Sequence, residues 1–335
     1  MMMKSMRAVT SKKRKWPKIL VGNVLLVSLM GMIGWQMFCV SVGKNSAEGI
    51  LYDNASHDTV QESIDGMQEL GIDVIQYEKD YGAQRFFIEG EDGYQVPVSL
   101  FALDENRNRN TVILLHGETG DRTTTYEAAE VFLKNGWNVL AMDQRNSGLS
   151  DFSYITFGYL ESRDLQACVD YLETIAPGKL IGAHGQSMGA ATIGMYLGTK
   201  HAAEHLDFAI IDSSYDNMTS MLKWGLDNRG IDAPLPFVAS CCSRYMKKHF
   251  GFTLEDVDIV KSMETNAVPT LVIQGTQDSL VLPYMGPAIY QAIPKSNSKS
   301  ELWEIDCGHV EGVHVMPEVY EAKMIEFIDT VYKTH

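Results

Sequence analysis

A rhythm of short apolar runs constrains the fold more than any other feature. TVILLHG (111–117), WNVLAMD (137–143), KLIGAHG (179–185), LDFAIID (206–212), PTLVIQG (269–275) and ELWEID (301–306) are each too short for a core helix. Apolar runs of this length suit strands buried on both faces, as in parallel sheets. Amphipathic stretches of helical length lie between most of them, at 126–135, 157–175 and 188–201. The alternation predicts an α/β fold: a mainly parallel central sheet flanked by helices on both faces. Ahead of it, RFFIEG (85–90) and YQVPVSLFAL (94–103) predict a hairpin turning at Glu91, Asp92 and Gly93. One interval breaks the rhythm. Residues 214–267 are too many for a single crossover and carry several helical pieces, which predicts a helical lid insertion above the sheet.

A chain of 335 residues can hold one such domain with extensions. Its charge is divided unevenly. The first 43 residues carry Lys4, Arg7, Lys12, Lys13, Arg14, Lys15 and Lys18 and no acid, which leaves 21 basic against 43 acidic residues, a net charge of −22, for the rest. Such a domain repels phosphates, which argues against a nucleic-acid partner. Between the basic cluster and Lys44, residues 19–42 (ILVGNVLLVSLMGMIGWQMFCVSV) contain no charge. As a helix this run would rise about 36 Å, enough to cross a bilayer's hydrocarbon. It is expected to be a single-pass transmembrane signal anchor, with the basic segment 1–18 cytoplasmic and the catalytic domain extracytoplasmic at the cell membrane. A cleaved signal peptide, which would leave the domain secreted, and a buried structural helix remain as alternatives. Residues 43–80 are polar, with a helical pattern near 59–70, and are expected to form a juxtamembrane connector to a domain at 81–335.

The chemistry centres on GAHGQSMGAA (182–191), in which Gly185, Ser187 and Gly189 make the pattern GxSxG. That pattern is weak alone, but here a strand-like run precedes it and the small-residue helix MGAATIGMYLG follows. A sharp strand-to-helix turn needs both glycines, and it thrusts the serine hydroxyl out at the C-terminal edge of the sheet. The backbone NH of Met188, at the new helix's N-terminus, then points toward a developing oxyanion. A serine nucleophile needs a base, and His309 in DCGH follows the last strand-like run, at the same edge. His314 is the fallback, whereas His116 and His184 precede turn glycines and read as structural. The base needs an orienting acid: Asp278 in GTQDSLV follows the penultimate run, with Asp212 as the alternative. The order Ser187, Asp278, His309 differs from the chymotrypsin and subtilisin orders and fits the α/β-hydrolase one. A second oxyanion donor is expected from HGETGDR, where the backbone NH of Glu118 is the candidate.

Together with GQSMG, HGETG, GTQD and CGH, the segments DQRNSGLS (143–150) and FGYLESRDL (157–165) carry a family likeness. The chain resembles a serine hydrolase of the α/β-hydrolase superfamily, in the branch of membrane-anchored or exported bacterial hydrolases described as Bem46-like or serine-aminopeptidase-like. Against that family's DxRGxGxS, Asp143, Arg145, Gly148 and Ser150 match, while Asn146 replaces a glycine. Asparagine tolerates positive φ, so the turn can survive. The resemblance covers residues from about 84 to 333; it implies the fold and acyl-enzyme chemistry with neither cofactor nor metal.

The expected activity is cleavage of a carboxylic ester of a small or partly apolar substrate, because alcohol leaving groups make fewer demands than amines. Amide or peptide cleavage and a non-catalytic membrane-tethered binding protein are the alternatives. Lid segments NMTSMLKWGL (217–226) and PLPFVASCC (234–242) offer Met, Trp and Phe to an acyl chain, or simply seat the lid on the sheet. HAAEH (201–205) fits a zinc-peptidase pattern, but the sequence offers no identifiable third ligand. The five cysteines lack metal-site spacing and are expected to be mostly buried thiols.

Overall fold

The computed structural model describes residues 18–52, 57–103 and 108–332, with side chains described from 28 to 331. The basic segment 1–17 lies outside the described residues. Eight strands form one sheet: β1 (Gln84–Glu89), β2 (Gln95–Phe101), β3 (Thr111–Leu115), β4 (Asn138–Met142), β5 (Ile181–Gln186), β6 (Phe208–Asp212), β7 (Thr270–Gly275) and β8 (Glu301–Ile305). Their spatial order is β1-β2-β4-β3-β5-β6-β7-β8. β2 pairs antiparallel with both β1 and β4, and every later pairing is parallel. β3 to β7 are buried along their whole length, which explains their unbroken apolar runs.

Thirteen α-helices are described: α1 (Lys18–Leu51), α2 (Thr59–Glu69), α3 (Val74–Asp80), α4 (Tyr126–Lys134), α5 (Glu161–Ile175), α6 (Met188–Leu197), α7 (Lys200–His205), α8 (Met218–Asn228), α9 (Leu235–His249), α10 (Ile259–Met263), α11 (Met285–Ala292), α12 (Gly312–Val315) and α13 (Pro317–Tyr332). One apolar layer gathers Leu165, Ile193 and Ile289 of α5, α6 and α11. The other gathers Phe132 of α4 and Tyr320, Met324 and Phe327 of α13. Local chemistry sets several helix starts: Asp58, Asp73, Thr199, Asn217 and Asp258 each accept a backbone NH in the first turn of the following helix.

Beyond the N-terminal helices, three elements differ from the sequence expectation. The helix expected over 157–175 begins only at Glu161, because Phe157 and Gly158 turn at φ +53° and +97°. A Cβ on Gly158 would lie 3.1 Å from the Thr192 Cα, so this turn seats α5 against α6. The helix expected over 188–201 stops at Leu197 and restarts as α7, since Thr199 is extended and caps Ala202. Within 214–267, α8 and α9 form the lid, whereas α10 lies against α6 and α11 on the flank of the sheet.

α1 does not end where its apolar run ends. It continues to Leu51, and Ala47 and Leu51 are fully buried in the domain core. α2 and α3 dock beside the β3 loop through Met67 and Val74. Among the described residues no helix is long and apolar enough to cross a membrane; the run 19–42 falls partly outside them, because side chains before Ser28 are not described.

Candidate active site

Ser187 sits between β5 and α6 at φ +52° and ψ −115°, a conformation that costs on the order of 1–3 kcal/mol outside glycine. Crowding imposes the turn and both glycines. A Cβ on Gly185 would lie 2.5 Å from the Gly189 carbonyl, and one on Gly189 would lie 2.3 Å from the Leu115 carbonyl oxygen. The backbone NH of Ser187 reaches sideways to the Asp212 carbonyl at 2.9 Å, fixing the turn against β6.

The structure brings the three residues singled out from the sequence together. His309 Nε2 lies 2.9 Å from the Ser187 Oγ, and His309 Nδ1 lies 2.7 Å from Asp278 Oδ2. An acidic partner at Nδ1 places the proton there, so Nε2 is free to accept from the serine hydroxyl. The other Asp278 oxygen accepts the backbone NH groups of Leu280 and Val281, both at 2.9 Å, and its side chain is fully buried. His309 is carried on a loop where Val310 has φ +58° and donates its NH to Ser213 Oγ. The acid and base loops touch directly, because a Cβ on Gly275 would lie 2.6 Å from the Gly308 carbonyl oxygen.

The fallback and alternative residues, and the histidines read as structural, have other partners. His314 lies on α12, 3.7 Å from Glu127. The Asp212 carboxyl accepts from Ser213 Oγ and from the Tyr320 hydroxyl, and burial raises its pKa. His184 donates to Tyr320 through Nε2 at 3.0 Å, and burial pushes its pKa down to about 4, so the ring is neutral. His116, also buried and depressed in pKa by burial, donates from Nδ1 to the Gly117 carbonyl and accepts the Gln144 NH at Nε2. In HAAEH, His201 bonds Asp170 and Tyr196 while His205 bonds Glu173, tying α7 to α5. Among the described residues no group of three or more His, Cys, Asp or Glu is placed to hold a metal ion.

The β3 loop lies against the serine: a Cβ on Gly117 would be 3.5 Å from the Ser187 Cβ. Glu118, the next residue in the chain, follows this contact directly. Sequence reasoning missed what holds this loop. Gln144 donates to the His116 carbonyl and accepts from Thr192 Oγ1, clamping loop, β4 and α6 together. Its only signal was its place inside DQRNSGLS. In the same segment Asp143 accepts from Arg122 and from the backbone of Leu149, and Asn146 takes φ +57°. Arg145, fully buried, donates two bonds to Asp164 and one to Asp92, with its guanidinium over the Tyr94 and Phe152 rings. The carboxylates beside it hold its pKa above the ordinary arginine value.

A cavity of about 470 Å³ opens between the sheet edge and the lid. It is bordered by Glu118 and Phe157 below, and by Met218, Leu222 and Trp224 of α8. The Trp224 indole NH donates to the Ser279 carbonyl at 2.9 Å, joining the lid to the loop that carries Asp278. Glu118 thus borders this cavity.

Comparison with known proteins agrees with this architecture. The alpha/beta hydrolase fold family matches residues 110–240. A Bacillus subtilis (strain 168) relative, the uncharacterized protein YqkD, is 26% identical over 266 residues, covering 78% of this chain and 84% of its own. The Pyrococcus furiosus esterase Pf2001 superposes with a TM-score of 0.61 at 27% identity, covering 75% of this chain and 93% of that one. An esterase from Exiguobacterium antarcticum shares the fold at 15% identity, with a TM-score of 0.54 over 73% of this chain and all of its own. The chain therefore has the alpha/beta hydrolase fold, with a mostly parallel sheet flanked by helices.

Proposed function

We propose that this protein is a serine hydrolase that cleaves a carboxylic ester through an acyl-enzyme. The observation that carries the reading is the continuous hydrogen-bonded chain from Ser187 Oγ through His309 to Asp278. His309 Nε2 takes the hydroxyl proton as Ser187 Oγ attacks the ester carbonyl carbon. The NH groups of Met188 and Glu118 stabilise the oxyanion, at a site where backbone dipoles need no reorganisation. Collapse expels the alcohol, which leaves with the proton from His309. Water then gives a proton to His309 and attacks the acyl carbon, releasing the acid and restoring Ser187. Asp278 holds the imidazole in the productive tautomer and stabilises its charged form.

Similarity to an esterase at 27% identity over most of both chains supports the ester-hydrolase assignment. The uncharged run at 19–42, preceded by a basic cluster, supports a single-pass anchor with the domain outside the cell membrane. The test is labelling by a fluorophosphonate. Wild type is expected to label and Ser187→Ala to stay unlabelled. An unlabelled wild type, under conditions that label a known serine hydrolase, rejects an activated nucleophile.

A further inference from the structure

The cavity that reaches Glu118 and Leu280, on the loops that carry Gly117 and Asp278, is not closed by the hydrolase domain alone: one wall is α1. Ser46, Gly49 and Ile50 of that helix face the lid residues Leu222 and Trp224 across it. At about 470 Å³ it falls within the range of roughly 300–1,000 Å³ typical of small-molecule sites. Three turns before this wall, α1 is apolar around its circumference. Met30, Trp35, Met37, Phe38 and Val40 are each more than half exposed. A helix apolar on every side belongs in a core or in lipid, and among the described residues only α9 packs on this stretch, leaving these side chains more than half exposed.

The lid shares that level. α9 runs parallel to α1: Phe237 contacts Trp35 and Phe38, Gly43 lies under the Cys241 carbonyl, and Tyr245 donates to Glu48. The first turn of α9, with Leu235, Pro236 and Phe237, is therefore level with the end of the apolar run. Further along the same two helices come Lys44, Arg244, Lys247 and Lys248. Apolar turns followed by cations, in the same direction on two parallel helices, are the layering of elements lodged at a membrane surface. Ile231, 48% exposed at the turn between α8 and α9, borders the same cavity. The cavity thus extends from the lid tip at this level to Glu118.

We propose that the substrate is a single-chain acyl ester drawn laterally from the bilayer that holds α1, with its chain between α1 and α8 and its carbonyl at Ser187. This inference rests on the serine-hydrolase and membrane-anchor readings above. The reaction consumes one water and yields a fatty acid and an alcohol head group through the Ser187 acyl-enzyme. The apolar lining suits the chain, and Glu118, at the end of the cavity away from the lid tip, suits a hydroxylated head.

The experiment uses the full chain reconstituted in phosphatidylglycerol–phosphatidylcholine vesicles, with two ester probes. 4-Nitrophenyl acetate reads the hydrolase itself. A monoglyceride with a very long acyl chain, which leaves a bilayer slowly because each buried methylene holds it there, is placed either in the same vesicles or in separate protein-free ones. Initial cleavage is expected to be at least about tenfold faster from the shared bilayer. Gly49→Trp, whose Cβ meets nothing within 4 Å, is expected to lower the ratio of long-chain to acetate turnover by about tenfold. Ile231→Asp at the lid tip should move the same ratio in the same direction, and it serves if the first variant fails to fold. Equal rates from shared and separate vesicles, or acetate cleavage without long-chain cleavage, overturn lateral access and leave the hydrolase standing. Ratios unmoved in both variants overturn the role of this cavity. Loss of acetate cleavage and of Ser187 labelling in wild type overturns both readings.

Discussion

The sheet edge and the lid enclose the same cavity but are built by opposite means. At the sheet edge position is fixed by polar contacts in which nearly every group has a named partner: Asp278 is held by two backbone NH groups and His309, and Gln144 by His116 and Thr192. Ser187 and Val310 carry positive φ there, strain that persists only because the surroundings over-determine it. In the lid, Met218, Leu222 and Trp224 meet the cavity through apolar surface, and the Trp224 indole NH bonds Ser279. Polar networks specify geometry; apolar walls specify volume. Substitutions at the edge should therefore change how fast bonds break, and substitutions in the lid should change which substrates are accepted.

The largest effect tests the edge. Ser187→Ala is expected to lower kcat on the order of 10⁶-fold, the scale seen when a serine nucleophile is removed and only oxyanion stabilisation remains. Next, Asp278→Asn should lower kcat by about 10⁴-fold, because the amide favours the wrong histidine tautomer. The neighbouring acid offers the control. Asp212→Asn, whose carboxyl meets Tyr320 and Ser213 rather than His309, should cost far less in kcat. Steady-state kinetics on one soluble ester compares the two; equal losses would mean that the orienting acid has been misassigned.

A stability effect comes third. His184 is fully buried and neutral, with its pKa pushed down from 6.5 to about 4 by burial. Between those values the unfolded chain binds a proton that the native protein does not. The contribution is complete above about pH 6.5 and is lost as pH falls toward about 4, by up to about 3 kcal/mol. Urea midpoints across that window should fall steeply in wild type and less so in His184→Gln. An unchanged slope would assign the acid sensitivity to other groups.

How much of this was legible in the sequence follows from the same division. Ser187, Asp278 and His309 could be placed together because each closely follows a short apolar run, so a strand end puts each at one edge. The two glycines around Ser187 were legible for the same local reason. Tyr320 was not: its bonds to Asp212 and His184 span 108 and 136 residues, and no local pattern marks a tyrosine on the last helix as a partner. The break after Leu197 was hidden because Thr199 looks like a helix surface residue until its capping bond is seen. The continuation of α1 into the core was equally hidden, since KNSAEGIL reads as a polar connector although Ala47 and Leu51 are fully buried. Periodicity locates strands and their ends; it does not say which distant helix supplies a hydroxyl.

The smallest expected effect sharpens the comparison where the two regions meet. Trp224 belongs to the lid by its apolar face and to the site by its bond to the Ser279 carbonyl, one residue past the orienting acid. Two substitutions separate these roles. Trp224→Phe keeps most of the apolar surface but removes the indole donor, so it should lower kcat a few-fold while leaving acyl-length preference close to wild type, as befits a neutral hydrogen bond worth about 1 kcal/mol. Trp224→Ala also enlarges the cavity, and should shift kcat/KM toward longer or bulkier acyl groups by about tenfold relative to acetate, the discrimination one to two methylenes can supply. A series of esters graded in acyl length measures both. If Phe alone reproduced the shift in preference, the indole bond would be setting the shape of the cavity, and the lid would be positioned by polar contacts in the manner of the sheet edge.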